Sequence, residues 1–115
     1  MHERQRRGAL CEAQAERMLT AQGLRLVERN YRCRGGEIDL VMRDGQQLVF
    51  VEVRYRANRD FGGALGSVDG AKQQRLVRAA QHYLMLRGWQ GPCRFDVVGF
   101  DGSGQPQWVR DAFPA

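Results

Sequence analysis

Two carboxylates near the middle of the sequence, Asp39 and Glu52, have a spacing at which they can share a metal ion. Residues 37–43 and 48–56 alternate as β-strands do, and the Asp-Gly-Gln-Gln segment at 44–47 is a turn sequence. In the β-hairpin that this pattern predicts, both carboxylates lie on one face with their Cβ atoms within roughly 8 Å. Like charges this close repel, and a cation between them relieves the repulsion. Carboxylate oxygens suit Mg²⁺ or Mn²⁺, which take their other ligands from water and substrate phosphates.

The register of the hairpin decides how closely the two carboxylates approach. A four-residue loop over 44–47 pairs Asp39 directly with Glu52. A two-residue turn at 44–45 instead pairs Asp39 with Phe50 and leaves Glu52 as a diagonal neighbour. Both registers keep the two carboxylates on the same face, so the sequence leaves the choice between them open.

The two faces of the predicted hairpin differ in composition. One face is entirely apolar or aromatic and is expected to pack on a helix; it holds Ile38, Leu40, Met42, Val49, Val51, Val53 and Tyr55. The opposite face mixes charged and apolar residues, namely Glu37, Asp39, Val41, Arg43, Leu48, Phe50, Glu52 and Arg54.

Arg54 follows Glu52 by two residues and therefore points to the same face, where it can meet a phosphate group. The alternative is a solvated face on which Asp39 and Glu52 pair with Arg43 and Arg54 and hold no metal. The apolar residues between the charges count against a fully solvated face.

The rest of the sequence predicts the elements that position this hairpin. Helices are expected at 9–22 and 69–87, further strands at 24–32, 93–100 and 107–110, and a loop at 57–67. The stripes expected to be buried are Cys11, Ala15, Met18, Leu19 and Gln22 in the first helix and Leu76, Ala80, Tyr83 and Leu84 in the second. The order α-β-β-β-α-β-β indicates an α/β fold, a single domain over residues 1–115 with a mixed sheet flanked by helices.

Composition excludes several classes of protein. The chain has 115 residues with 43% hydrophobic and 27% charged, which excludes a disordered tail. No apolar run reaches the ~20 residues of a membrane span, and the N-terminus lacks a secretory signal, so a cytoplasmic protein without membrane contact is expected. The net charge is +5, and 17 of the 18 cations are arginine, with Lys72 the exception. This excess favours phosphate binding, although a compositional bias of the genome would produce it too.

The segments Gly-Glu-Ile-Asp-Leu-Val at 36–41 and Val-Phe-Val-Glu-Val-Arg at 49–54 resemble the YraN family of small bacterial proteins. The similarity extends over nearly the whole chain, from Gly8 and Glu12 in the first helix to Ala112 and Phe113. Proteins of this family are predicted endonucleases, distantly similar to archaeal Holliday junction resolvases within the PD-(D/E)XK superfamily. The resemblance implies a restriction-endonuclease-like core with the order α-β-β-β-α-β.

The resemblance also implies roles for individual residues. Asp39 and Glu52 are expected to bind Mg²⁺ or Mn²⁺ with the Val53 carbonyl, and Glu12 to add a further carboxylate. Arg54 occupies the position that is usually lysine in such nucleases. Arginine cannot serve as a general base, although it can stabilise phosphate charge. Lys72 can replace the missing lysine in space, or it can be a surface cation in the first turn of its helix.

The function expected from the resemblance is metal-dependent hydrolysis of DNA, branched or single-stranded. Arg54, Arg56 and Arg59 are candidates to follow a nucleic-acid backbone, or they form a solvated face. A homodimer is possible, because resolvase-like enzymes need two copies to cut symmetrically. The alternative is a non-catalytic nucleic-acid-binding protein that keeps the nuclease fold, and Arg54 is the departure that favours it. A protein-interaction module would require the acidic hairpin face to be solvated.

Overall fold

Alternating apolar residues in five segments form one β-sheet in the computed structural model, which describes residues 3–57, 62–103 and 105–114. The elements are α1 (Glu3–Ala21), β1 (Arg25–Cys33), β2 (Gly36–Asp44), β3 (Gln47–Tyr55), α2 (Gly63–Gly66), α3 (Gly70–Arg87), β4 (Cys93–Phe100) and β5 (Gln107–Phe113). No helix in these ranges has the length and apolar character needed to cross a membrane.

The sheet is mixed, as the sequence predicts. Its strand order is β1-β2-β3-β4-β5, and every neighbouring pair is antiparallel except β3 and β4. Parallel neighbours require a crossover connection, and the chain between β3 and β4 supplies it with α2 and α3. The α/β fold class and the flanked mixed sheet are therefore confirmed, and the order agrees with a nuclease-like core.

The two long helices cover the sheet through separate apolar cores. The α1-side core consists of Cys11, Ala15, Leu19, Leu24, Leu40, Met42, Val49, Val51, Val98 and Phe100. The α3-side core includes Tyr31, Ile38, Val41, Leu48, Phe50, Leu76, Ala79, Ala80, Tyr83, Phe95 and Val97. The predicted helical stripes thus lie against the sheet, except Gln22, which follows the end of α1 and is exposed. Helix α3 begins after Asp69, whose carboxylate accepts a bond from the Lys72 amide, and it ends at Gly88 in the left-handed conformation.

The register of the central hairpin is the one that places the two carboxylates opposite each other. Arg43 pairs with Leu48, and the ladder runs on to Leu40 opposite Val51. The next position along the two strands is Asp39 opposite Glu52, so the register with Asp39 opposite Phe50 is excluded. The connection is tighter than a four-residue loop, because Asp44 and Gln47 also pair.

The predicted alternation fails at one point, immediately before Asp39. Ile38 belongs to the α3-side core and not to the face of Leu40 and Met42, so its predicted placement is wrong. The β2–β3 ladder stops at Leu40, and the neighbouring strand contains Asn30 in a left-handed conformation with φ of 52°. A strand that keeps strict alternation could not place these side chains on opposite faces. Asp39 therefore lies at a backbone irregularity.

Three further boundaries differ from prediction. Helix α1 begins at Glu3, before its predicted start at residue 9. The segment expected to be a loop at 57–67 contains the short helix α2, although residues 58–61 lie outside the described part. Strand β5 continues to Phe113 beyond the predicted end at Arg110. The extension passes through Asp111, whose φ is 51° and whose amide donates to the Asp96 carboxylate at 2.9 Å, and Phe113 then stacks on Phe95.

Substitution of Gly36 by alanine is expected to destabilise the fold by about 3 kcal/mol. A Cβ at this position would lie 2.2 Å from the backbone oxygen of Arg75, so β2 and α3 would have to separate. At Gly35 the same Cβ would lie 3.3 Å from the Cβ of Arg78, which a shift of a few tenths of an ångström relieves, so G35A is the matched control with an expected change below about 1 kcal/mol. Urea unfolding of both variants measures the difference; equal stabilities would contradict the close approach of Gly36.

Candidate active site

Five of the residues that the sequence singles out come from four elements and meet at one end of the central hairpin. Asp39 lies on β2, Glu52 and Arg54 on β3, Lys72 in the first turn of α3, and Glu12 on α1. The charges of Asp39, Lys72 and Arg54 all act on Glu52, and the charge of Asp39 acts on Glu12. The hairpin predicted to carry the chemistry is therefore the centre of a charged cluster.

Glu52 is the most deeply buried carboxylate of this cluster, with 3% of its side chain exposed. The Lys72 ammonium lies 3.4 Å from Glu52 Oε1, and Nη1 of Arg54 lies 3.9 Å from the same oxygen. The other oxygen, Oε2, is buried without a hydrogen-bond partner in the part of the chain that the structure describes. A buried carboxylate oxygen without a partner is costly, so this atom is a natural ligand for a cation.

Asp39 is held by the backbone of the opposite strand. Its Oδ2 accepts a hydrogen bond from the Val53 amide at 2.8 Å. Burial raises the pKa of Asp39 above its ordinary value, although the Val53 bond and the Lys72 charge oppose the shift. The carboxylate is thus fixed in position beside Glu52 while its ionised form is disfavoured.

The pKa values of the other two carboxylates are also raised. Burial, followed by the charge of Asp39, raises the pKa of Glu52 to about 8. Burial and the same charge raise the pKa of Glu12 to about 7, with Glu37 adding to the effect and Arg32 opposing it. Acidic groups that are buried together in this way share protons or a cation.

The chemistry of these oxygens fits a Mg²⁺- or Mn²⁺-type ion. Such ions bind through one or two carboxylates and retain several waters, so the Asp39 and Glu52 pair suffices. Within residues 3–57, 62–103 and 105–114, no three acidic, histidine or cysteine side chains form a ready-made metal cage. A direct metal contact by Glu12 or by the Val53 carbonyl stays a prediction.

Lys72 is a partly buried member of the cluster. Its side chain is 17% exposed and its ammonium faces Glu52, so the alternative of a surface cation in the first turn of α3 is wrong. The helix cap at Asp69 fixes the start of α3 and therefore the position of Lys72. A lysine from another element therefore lies beside Glu52, although the residue after Val53 is arginine in this chain.

Arg54 is oriented by a residue that the sequence did not indicate. Its Nε donates to Ser67 Oγ at 3.0 Å, and that hydroxyl donates to the Ala64 carbonyl in α2 at 2.6 Å. No local signal could have identified Ser67, because a serine after a glycine-rich segment is ordinary and its partner is 13 residues away.

The remaining predicted residues have separate positions. Arg56 donates to the Tyr55 carbonyl at 2.7 Å and, with Arg54, lines a cavity of about 810 Å³ at the end of β3. Arg59 lies outside the described residues. Arg43 bonds the Gly45 carbonyl and does not pair with the acidic residues, so that part of the solvated-face alternative is wrong.

Comparison with known proteins settles the family. The profile described as "Uncharacterised protein family UPF0102" matches residues 11–100. The chain belongs to the UPF0102 family. This confirms the resemblance to YraN proteins, which are the same family.

UPF0102 proteins of several bacteria match this chain along nearly its full length. One from Pseudomonas putida (strain W619) is 56% identical over 92% of this chain and 91% of the relative. One from Stutzerimonas stutzeri (strain A1501) is 53% identical over 98% of both chains, and one from Aeromonas hydrophila is 53% identical over 93% of this chain and 84% of the relative. The family name carries no reaction, so the chemistry rests on the geometry of the site.

Glu52 makes the stability of this UPF0102 protein depend on pH. The unfolded chain releases the Glu52 proton near the ordinary pKa of 4.5, whereas the folded chain retains it to about pH 8. Because the folded state then binds more protons, the free energy of unfolding falls as pH rises between these values. Glu52→Gln is expected to remove a few kcal/mol of this fall.

Urea unfolding from pH 5 to pH 9 in EDTA tests this expectation. The same substitution at Glu28, which pairs with Arg87 at the other end of α3, controls for the loss of one negative charge. An identical pH profile in wild type and E52Q would contradict the burial of Glu52 as an acidic group.

Proposed function

We propose that this chain is a Mg²⁺- or Mn²⁺-dependent nuclease that hydrolyses phosphodiester bonds of DNA. The observation that carries the proposal is the buried pair of Asp39 and Glu52, in which one carboxylate oxygen has no partner and two cations lie beside the other. Acidic oxygens next to positive side chains are the arrangement that binds a phosphate through a metal ion.

The acidic residues of the site would bind the metal, and its basic residues would bind the phosphate. Asp39 and Glu52 would hold the cation. A bound divalent cation lowers the pKa of its water and neutralises phosphate charge. The Lys72 ammonium is placed to contact phosphate oxygens, while the guanidinium of Arg54, held by Ser67, can bind them through its remaining donors. Because water on a bound cation would provide the nucleophile, hydrolysis would not require a general base at position 54, and the arginine there does not exclude it.

DNA as the substrate is supported by the charge around the site. The chain carries a net charge of +5, and Arg7, Arg54 and Arg56 line the cavity next to Val53. Arginine forks suit the phosphate oxygens of a nucleic-acid backbone, and the attraction is long-range. We include single-stranded and branched DNA as substrates, and a homodimer for symmetrical cutting of a branched molecule.

A second function, nucleic-acid binding without cleavage, is favoured by the contacts of Glu52. Lys72 and Arg54 lie beside Glu52, and its raised pKa lets it remain protonated inside the fold, so the cluster can be stable without a metal. The two functions differ in whether a divalent cation binds and whether DNA is cut.

Asp39→Asn and Glu52→Gln are each expected to reduce cleavage at least about 100-fold, because each removes one metal-binding charge. The assay incubates end-labelled linear, single-stranded and four-way-junction DNA with Mg²⁺, Mn²⁺ or EDTA. Glu28→Gln, which changes an acidic residue outside the cluster, is the matched control and should cut as wild type does. Intact DNA in every wild-type reaction, with salt-sensitive binding retained, would favour the second function.

Lys72→Met is expected to lower cleavage about 100-fold, whereas Arg54→Lys should change it less than about 3-fold. The reason is that Lys72 already provides the ammonium at Glu52, so a second lysine adds little. Single-turnover rates with saturating enzyme measure both effects. A gain of 10-fold or more in R54K would contradict this assignment and show that arginine at position 54 limits the reaction.

A further inference from the structure

A cavity of about 310 Å³ lies between the β1–β2 turn and the first two turns of α3, next to the candidate active site. Its positive lining residues come from both elements. Arg32 and Arg34 belong to the end of β1 and the β1–β2 turn, and Lys72 and Arg75 belong to α3. Glu37 is the acidic residue among the lining residues. Neither Arg54 nor Arg56 belongs to it.

The charge balance of this cavity, named here the turn cavity, favours an anion. Glu37 pairs with Arg32 at 3.2 Å, so it does not neutralise the charges of the other three cations. Of these three, Lys72 is beside Glu52. Arg34 and Arg75 are exposed and form no ion pair with any residue in the described ranges. Two unpaired guanidiniums that face one cavity repel each other, and an anion between them relieves the repulsion.

The turn cavity is continuous with the acidic cluster. Lys72 lines the cavity and also contacts Glu52, while the charges of Arg32 and Glu37 act on Glu12. An anion in the cavity would therefore lie beside any phosphate bound at the carboxylates. On the far side of the cluster, Arg54 and Arg56 line the separate cavity at the end of β3.

Rigid backbone holds the two arginines in place. Gly36 approaches the Arg75 carbonyl so closely that a Cβ would lie 2.2 Å from it, and the turn at Arg34 is closed by pairing of Cys33 with Gly36. Binding groups on elements that are packed together lose less freedom when a ligand binds.

We infer that the turn cavity binds a backbone phosphate of the nucleic acid, adjacent on the same strand to the phosphate held at Asp39 and Glu52. This rests on the proposed function, because a polymer with regularly spaced phosphates is the ligand that reaches both sites at once. The strand then passes from the turn cavity across the carboxylates to Arg54 and Arg56.

Binding of fluorescein-labelled 20-nucleotide single-stranded and duplex DNA in EDTA, followed by anisotropy between 50 and 200 mM NaCl, tests the inference. The variant Arg34→Gln with Arg75→Gln should reduce the magnitude of the slope of log affinity against log salt by about 0.8, since the loss of one phosphate contact removes about 0.7–0.9. The matched control removes the same charge elsewhere, with Arg25→Gln about 25 Å away along β1 and Arg110→Gln on the opposite edge strand. Its slope should change by less than about 0.3.

The outcomes separate this inference from the proposed reaction. Equal slopes in the two double variants, with cleavage retained, overturn the turn cavity and leave the nuclease standing. A slope that depends on Arg34 and Arg75, without cleavage under any metal, supports the cavity and rejects the nuclease. Labelled polyglutamate that binds as tightly and with the same dependence assigns the cavity to acidic peptides and overturns the inference, as does absence of DNA binding by the wild type. Thermal unfolding confirms that the variants fold.

Discussion

Repulsion between Asp39 and Glu52 is the constraint on which the rest of the site depends. Two acidic side chains on adjacent strands are buried together, and burial raises the pKa of both. The fold answers with the Val53 amide on Asp39 and with Lys72 and Arg54 beside Glu52. Lys72 lies at the start of α3, and Arg54 is held through Ser67 to the Ala64 carbonyl in α2. The positions of both helices therefore determine which cations lie beside Glu52. One oxygen of Glu52 is left without a partner, and a cation would complete the arrangement.

The sequence predicts the parts of the structure that depend on the alternation of side chains in strands and on the spacing of apolar residues in helices. Strict alternation placed Asp39 and Glu52 on one face in both possible registers, so the two carboxylates could be assigned to neighbouring positions of one hairpin. The apolar stripes of α1 and α3 followed from helical spacing. Each of these features is decided by residues within a few positions of one another.

The features that the sequence did not reveal depend on contacts between distant segments. Ile38 faces α3 because the strand departs from strict alternation at Asp39. The sequence pattern around Ile38 still alternates, so it gave no sign of this irregularity. Ser67 reaches Arg54 across the connection between β3 and α3. Lys72 is at an ordinary position for a helical surface residue, and only the packing of α3 on the sheet brings it to Glu52. Contacts between side chains of different elements are therefore found in the structure and are not predicted by the sequence pattern.

Because β3 and β4 are parallel, the acidic pair and Lys72 are brought together by connections of very different length. Asp39 and Glu52 belong to a hairpin that closes over a two-residue turn, which is a fast and local event. Lys72 belongs to the crossover, and its contact with Glu52 closes a much longer loop than the hairpin turn does. Until the crossover docks on the sheet, the acidic pair lacks its ammonium, and docking is favoured by the ion pair that it completes. The charges that serve the site therefore also favour the slow topological step that closes the fold.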